Sequence, residues 1–149
     1  MIKKLLPLSA TLIITSCGVI PAKTINYNTS ETQDLSTIAI LGEGERGHGH
    51  VTHINGKALF PTGFGHSTMG IKIKPGTYEL TLLYFQQAHS YYKKAEKTLT
   101  IRLEEGHYYM PSAKFISSDF IKFEVNDMGT SYPIECLSNH MMSEKPNNC

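Results

Sequence analysis

No segment of this 149-residue chain is apolar for long enough to cross a bilayer as a helix. The longest such run, Leu5 to Ile14, is about ten residues, half of the roughly twenty that a span requires. Charge of one sign is missing as well. The 14 Lys and Arg stand against 13 Asp and Glu, for a formal charge of +1. Without a basic excess there is little to release counterions from a phosphate backbone, so nucleic acid is a poor partner. No G-x-S-x-G, H-E-x-x-H or phosphate-loop pattern occurs. His66-Ser67 and His89-Ser90 place a base next to a hydroxyl, but neighbours on a strand point to opposite faces. A nucleophile needs its base within hydrogen-bond reach, so the chain is expected not to be an enzyme. Long helices, internal repeats and low-complexity tracts are also lacking.

What is present begins at the N-terminus. MIKKLLPLSATLIITSC has two lysines, a short apolar stretch and small residues before Cys17, the order of a secretory signal. Ile14-Thr15-Ser16-Cys17 resembles a bacterial lipobox, in which the chain is cut before a cysteine that then carries the acyl chains, palmitate among them. The alternative is an ordinary cleaved signal with an incidental cysteine. The resemblance implies a signal peptide over 1–16, lipid attachment at Cys17, and a bacterial envelope protein held to the membrane by its N-terminal lipid. Gly18, where an Asp would commonly mark inner-membrane retention, favours the outer membrane of a Gram-negative cell. Cleavage removes Lys3 and Lys4, which leaves 12 basic against 13 acidic side chains and a formal charge of −1 over 133 residues. That length is enough for one domain with its own core. Residues 17–36 are rich in Thr, Ser and Asn without a sustained period, and read as anchor and polar tether; an irregular first strand over Thr24 to Tyr27 is the alternative.

Cysteine is scarce. With Cys17 assigned to lipid, Cys136 and Cys149 are a candidate disulfide in an oxidising compartment, tying down a tail over 136–149. Two free thiols, or an intermolecular bridge from Cys149, are the other readings. From Thr37 the pattern is β. Thr37 to Leu41 is a short apolar strand, and Asn55-Gly56 between Val51–Ile54 and Lys57–Phe60 is a type I′ hairpin signal. Pro75-Gly76 closes a strand over Met69 to Lys74. Tyr78, Leu80, Leu82 and Tyr84 then alternate with Glu79, Thr81 and Leu83, and Leu99, Ile101 and Leu103 repeat the alternation. Ile121, Phe123 and Val125 form a last strand. QQAHSYYKKAE, Gln86 to Glu96, reads as one or two helical turns or a polar loop. The expectation is an all-β chain: an antiparallel β-sandwich of about seven or eight short strands over residues 37–135.

INGK, IKIKPGTYELTLLYF and LTIRLEEGHYYMPSAKF together resemble small bacterial envelope lipoproteins with PEGA-like or transthyretin-like domains, over roughly Ile38 to Thr130. These are turn and core signals, so the resemblance implies a sandwich and an envelope location and carries no catalytic residues. It points to a binding or assembly module whose partner is another envelope protein or a cell-wall component. Tyr91, Tyr92, Tyr108 and Tyr109 are candidates for its contact surface, or ordinary half-buried strand residues.

One stretch looks like chemistry. GERGHGHVTHING places His48, His50 and His53 within six positions, with His66 the nearest further candidate. Imidazoles so spaced could hold zinc or copper, making a periplasmic metal-binding protein the alternative function; otherwise no cofactor is expected. A zinc site needs three or four ligands. On a regular strand reaching back to His48, His48 and His50 share a face and His53 points away, so three ligands would require a bend at Gly49. The bland reading is a glycine-loosened loop of solvated imidazoles leading into a hairpin.

Overall fold

The turn and alternation signals lay down most of the framework. The computed structural model describes residues 24–42, 44, 48–59, 70–88, 91–117, 120–133 and 136. Among these, nine strands are formed: β1 (Thr24–Asn26), β2 (Ala39–Leu41), β3 (His48–Ile54), β4 (Lys57–Ala58), β5 (Gly70–Ile73), β6 (Gly76–Ala88), β7 (Tyr91–Leu103), β8 (Tyr108–Ser117) and β9 (Phe120–Asp127). The only helical element among them is a 3-10 turn over Leu35–Thr37, capped by the Asp34 carboxylate, which accepts from the Ser36 N–H at 2.9 Å. No helix of the described residues is long and apolar enough to cross a membrane. The all-β class is the one expected.

The strands form two sheets. β4-β3-β6-β7 is antiparallel throughout; β1-β5-β2-β8-β9 is mixed, because β1 runs parallel to β5 and β2 parallel to β8. A wholly antiparallel arrangement is therefore corrected. The reason is in the chain path: after β2 the chain leaves for the other sheet, returns on one side of β2 as antiparallel β5, leaves again through β6 and β7, and comes back on the other side of β2 as β8. Such a return over a long connection permits parallel pairing, whereas a tight hairpin permits only antiparallel.

Alternation puts the core where it was expected. On β6, Tyr78, Leu80, Leu82 and Tyr84 are all buried, and Leu103 on β7 is buried too. One apolar cluster takes Ala39, Leu41, Ile71, Ile73 and Tyr109 from the five-stranded sheet and Val51, Ile54, Leu80 and Leu82 from the four-stranded one. Burying each such aliphatic side chain is worth about 1.5–3 kcal/mol. Ile38 and Ile40 lie on the other face of β2, against Tyr108, Met110 and Tyr132. A strand buried on both faces reads as a continuous apolar run, as Ile38 to Leu41 does.

Two expectations change. Part of the stretch read as a tether through Ser36 is strand, as the alternative over Thr24 to Tyr27 had it: β1 pairs with β5, and Tyr27 packs edge-to-face on Tyr78 at 6.4 Å. Second, Gln86 to Glu96 is neither helix nor loop. The β6–β7 ladder runs unbroken from the Gly76–Leu103 pair to the Ala88–Tyr91 pair. Lys94 and Glu96, two residues apart, form an ion pair at 3.1 Å, which is a strand contact because i and i+2 share a face on a strand but not on a helix. Helix propensity in that segment is a weak preference that the ladder overrides.

Candidate functional site

The histidine stretch is strand, not loop. β3 begins at His48 and pairs with β6, but the register slips twice, between His48 and His50 and between Val51 and His53. Each slip is a bulge, with one extra residue on β3, and each reverses the inward–outward alternation. Val51 and Ile54, three residues apart, are consequently both buried, opposite Leu82 and Leu80. The bulges also re-sort the histidines. His50 pairs with Leu83 and His53 with Thr81, so these two take neighbouring positions on one face, while His48 stands opposite Tyr84. The expectation that His48 and His50 share a face, with His53 turned away, belongs to an unbulged strand and does not hold.

The glycines here are not loose. Gly49, at φ +108°, lies so close to β8 that a Cβ would overlap the backbone of Ser112 and Ala113. Gly44, at φ +81°, would place a Cβ 2.9 Å from the Gly49 carbonyl oxygen and 3.0 Å from that of Pro111. Glycine is needed at these two positions because the backbone at Gly44 and Gly49 lies directly against that of β8.

Two imidazoles on one face fall short of a zinc site. His50 and His53 are half-buried, and the His53 Nδ1 lies 3.0 Å from the Thr52 hydroxyl. Among the described residues no three His, Cys, Asp or Glu side chains come together as a metal would require. His66 and the His48 side chain lie outside the described residues, as do Cys17, Cys149, His89 and the pair His66-Ser67. Cys136 is buried at 4% exposure. Of the four tyrosines, Tyr109 is a core residue and Tyr108 is half-buried on the opposite face; the Tyr91 and Tyr92 side chains are outside the described set.

A histidine not singled out from sequence makes the best-defined polar cluster. His107 Nδ1 lies 3.0 and 2.9 Å from the two carboxylate oxygens of Asp127, and the Gly129 N–H donates to Asp127 at 2.8 Å. The His107 ring stacks on Tyr109, and the Tyr109 hydroxyl accepts from the Glu104 N–H at 2.9 Å. Burial pushes the Tyr109 hydroxyl pKa up, with the Glu104 N–H opposing it. For Asp127 burial is the largest influence and also raises the pKa, but the Gly129 N–H, the His107 ring and the Tyr109 hydroxyl together bring it below the usual carboxylate value. A histidine held by a carboxylate is two parts of a hydrolytic triad. The pair forms a clasp between the start of β8 and the end of β9; among the described residues no serine, threonine or cysteine hydrogen-bonds His107. Sequence alone gave no sign of it, since the two partners are 20 residues apart and meet only through the hairpin register.

A concavity among the described residues lies at the opposite end, where β6–β7 and β8–β9 approach their turns. A cleft of about 350 Å³ is lined by Lys93, Lys94 and Ala95 on β7 and by Phe115, Phe120, Ile121 and Phe123 on β8 and β9. The Lys93 ammonium sits 4.2 Å from the centre of the Phe115 ring. Phe115, Ile116 and Phe120 are 46%, 57% and 58% exposed. The signal that could have found it is FISSDFIKF, apolar residues on both sides of a Ser-Ser-Asp turn. No family model, no curated protein and no solved structure matches this chain.

Proposed function

We propose that this is a non-catalytic bacterial envelope lipoprotein, a β-sandwich module held at the membrane by acylated Cys17 and serving as a binding or assembly element for another envelope component. The observation that carries the reading is the N-terminal sequence: a basic start, a short apolar run and Ile14-Thr15-Ser16-Cys17, followed seven residues later by Thr24, the first residue of strand β1. A leader and a short spacer ahead of a folded β-domain are what an anchored module requires. The shared apolar cluster drawn from both sheets supports face-to-face packing, in the style of the PEGA-like and transthyretin-like domains that the sequence resembles. The Cys136–Cys149 bridge belongs to the same reading, supported by the burial of Cys136.

The test is Cys17→Ser. It should abolish metabolic palmitate labelling and release the protein from washed membranes, because stable anchoring takes more than one acyl chain. A Cys17→Ser protein that stays membrane-bound through a high-salt wash, with labelling intact, overturns the anchor. A second reading, a metal-binding protein, is favoured only by His50 and His53 sharing a face. Calorimetry with zinc and copper decides it: no binding tighter than about 10 μM, weak against the free-energy gain of a structural zinc site, removes it.

A further inference from the structure

The apolar cleft at the hairpin ends has features that a groove for a one-sided ligand does not explain. Phe115 belongs to the inward face of β8, the face of buried Tyr109 and Ala113. Ile116 is the extra residue of a bulge, between the Phe115–Ile121 and Ser117–Phe120 pairs. Both are exposed, as is Phe120 across the ladder. Apolar side chains exposed around a hairpin end, rather than along one wall, suit an environment that surrounds that end. Lysines border it: Lys93 and Lys94 on β7, Lys114 on β8 and Lys122 on β9, against Glu96 and Glu124 among the described residues. The glutamates are already engaged, Glu96 by Lys94 and Glu124 by Lys122 at 2.6 Å. Aromatic and aliphatic groups with a lysine collar are the chemistry of a surface that meets anionic headgroups while its apolar tip sinks below them.

The direction of the chain agrees. β8 runs toward this end, β2 runs parallel to β8, β5 antiparallel to β2, and β1 parallel to β5. The N-terminal side of Thr24 therefore faces the hairpin ends. Thr24 pairs with Gly70, one residue beyond the Ile71–Leu41–Tyr109 row, which sets it about six residues short of Ile116, or about 20 Å at strand rise. The seven residues from Cys17 to Thr24 reach at most about 24 Å when extended. Lipid on Cys17 and the hairpin ends can lie in one plane.

We propose that the paired ends of β6–β7 and β8–β9 are a second membrane contact, in which Phe115, Ile116 and Phe120 enter the headgroup region of an anionic bilayer and the bordering lysines face its phosphates. The reach argument rests on the anchor reading; the surface chemistry does not. The contact orients the module, tips toward the lipid and the opposite end away from it.

The chain contains no tryptophan, so a single introduced indole is a clean reporter. The full acylated protein is placed in vesicles of phosphatidylcholine, with or without phosphatidylglycerol, carrying brominated acyl chains. Phe120→Trp and Ile116→Trp, from opposite sides of the hairpin, should both shift to the blue and be quenched in the anionic vesicles. Leu35→Trp, at the far end and 39% exposed, should do neither. Lys93→Glu combined with Lys114→Glu should remove the quenching of Phe120→Trp while the protein stays in the vesicle pellet. Unquenched reporters at both tip positions in pelleted protein overturn the contact, and so does quenching of Ile116→Trp and Leu35→Trp alike. If the protein washes off, the anchor reading fails, and the tip is then read without washing by adding vesicles: quenching restricted to the two tip reporters supports it and its absence overturns it.

Discussion

The two ends of the molecule are built on different principles. At one end, the turns at Asn55-Gly56, Pro75-Gly76 and Glu104 to Gly106 are tied by specific polar bonds. Asn55 exchanges bonds with Glu79 at 2.8 and 2.9 Å, Tyr78 donates its hydroxyl to the Lys74 carbonyl at 2.9 Å, Asn28 donates to Tyr78 at 3.0 Å, and His107 grips Asp127. At the other end the described part of the hairpins carries apolar side chains in water, one lysine over one phenyl ring and two ion pairs between strand neighbours, Lys94–Glu96 and Lys122–Glu124. Polar bonding of the first end's density fixes geometry, since each directional bond ties one turn to a particular atom of another segment. Exposed phenyl and butyl groups fix nothing internally. The difference assigns stability to the first end and contact to the second.

The largest effect should come from a residue between the ends. Gly49→Ala forces a Cβ into the Ser112–Ala113 backbone at a φ of +108°. It should cost about 4 kcal/mol or more, since neither strand can withdraw without disturbing both sheets. Gly56→Ala is its control: φ is +71°, but nothing lies within 4 Å of a Cβ, so only the left-handed conformation is penalised, by about 1–2 kcal/mol. Urea melts of the two variants check this, and equal midpoints would mean that β3 does not press on β8.

That pair also shows what was legible. Asn55-Gly56 announces its turn because the signal is local, and the structure has positive φ at both residues, 50° and 71°. The Tyr78–Tyr84 alternation is local in the same way, and it placed the core correctly. Gly49 is not local. Its reason is the approach of β8, some 60 positions further along the chain, and the bulges that regroup His50 and His53 arise only from pairing with β6. β1 stood only as the alternative to a tether, and the parallel pairs were missed, on the same ground, because a three-residue strand is defined by its neighbour rather than by its own period. The hairpin-end cleft was missed because its two walls come from separate hairpins.

A second pair tests the contrast directly. Leu80→Ala, at 0% exposure in the core, should cost about 3 kcal/mol. Ile116→Ser, at 57% exposure, removes a side chain of similar size yet should cost about 1 kcal/mol or less, an upper figure because the unfolded chain also covers part of it. A large loss at Ile116 would show that the hairpin end is part of the core rather than a contact surface.

The smallest effect belongs to the clasp at the bonded end, and pH separates it from packing. Asp127 is held below the ordinary carboxylate pKa although burial pushes it up, because the Gly129 N–H, the His107 ring and the Tyr109 hydroxyl outweigh burial. A carboxyl with a folded pKa below its unfolded one stabilises fully above the unfolded value, about 3.9, and the gain disappears as pH falls through the folded value. The Asp127 side chain is 45% exposed, so solvent screens the pair and its worth is about 1 kcal/mol at most. Asp127→Asn should therefore be slightly less stable than the parent at pH 7 and at pH 5, with the gap closing as pH falls below about 4, where the parent carboxyl itself takes up a proton. A gap that stays constant from pH 7 to pH 3 would make Asp127 a packing and turn residue, held by Gly129 alone, and the clasp would lose its electrostatic half.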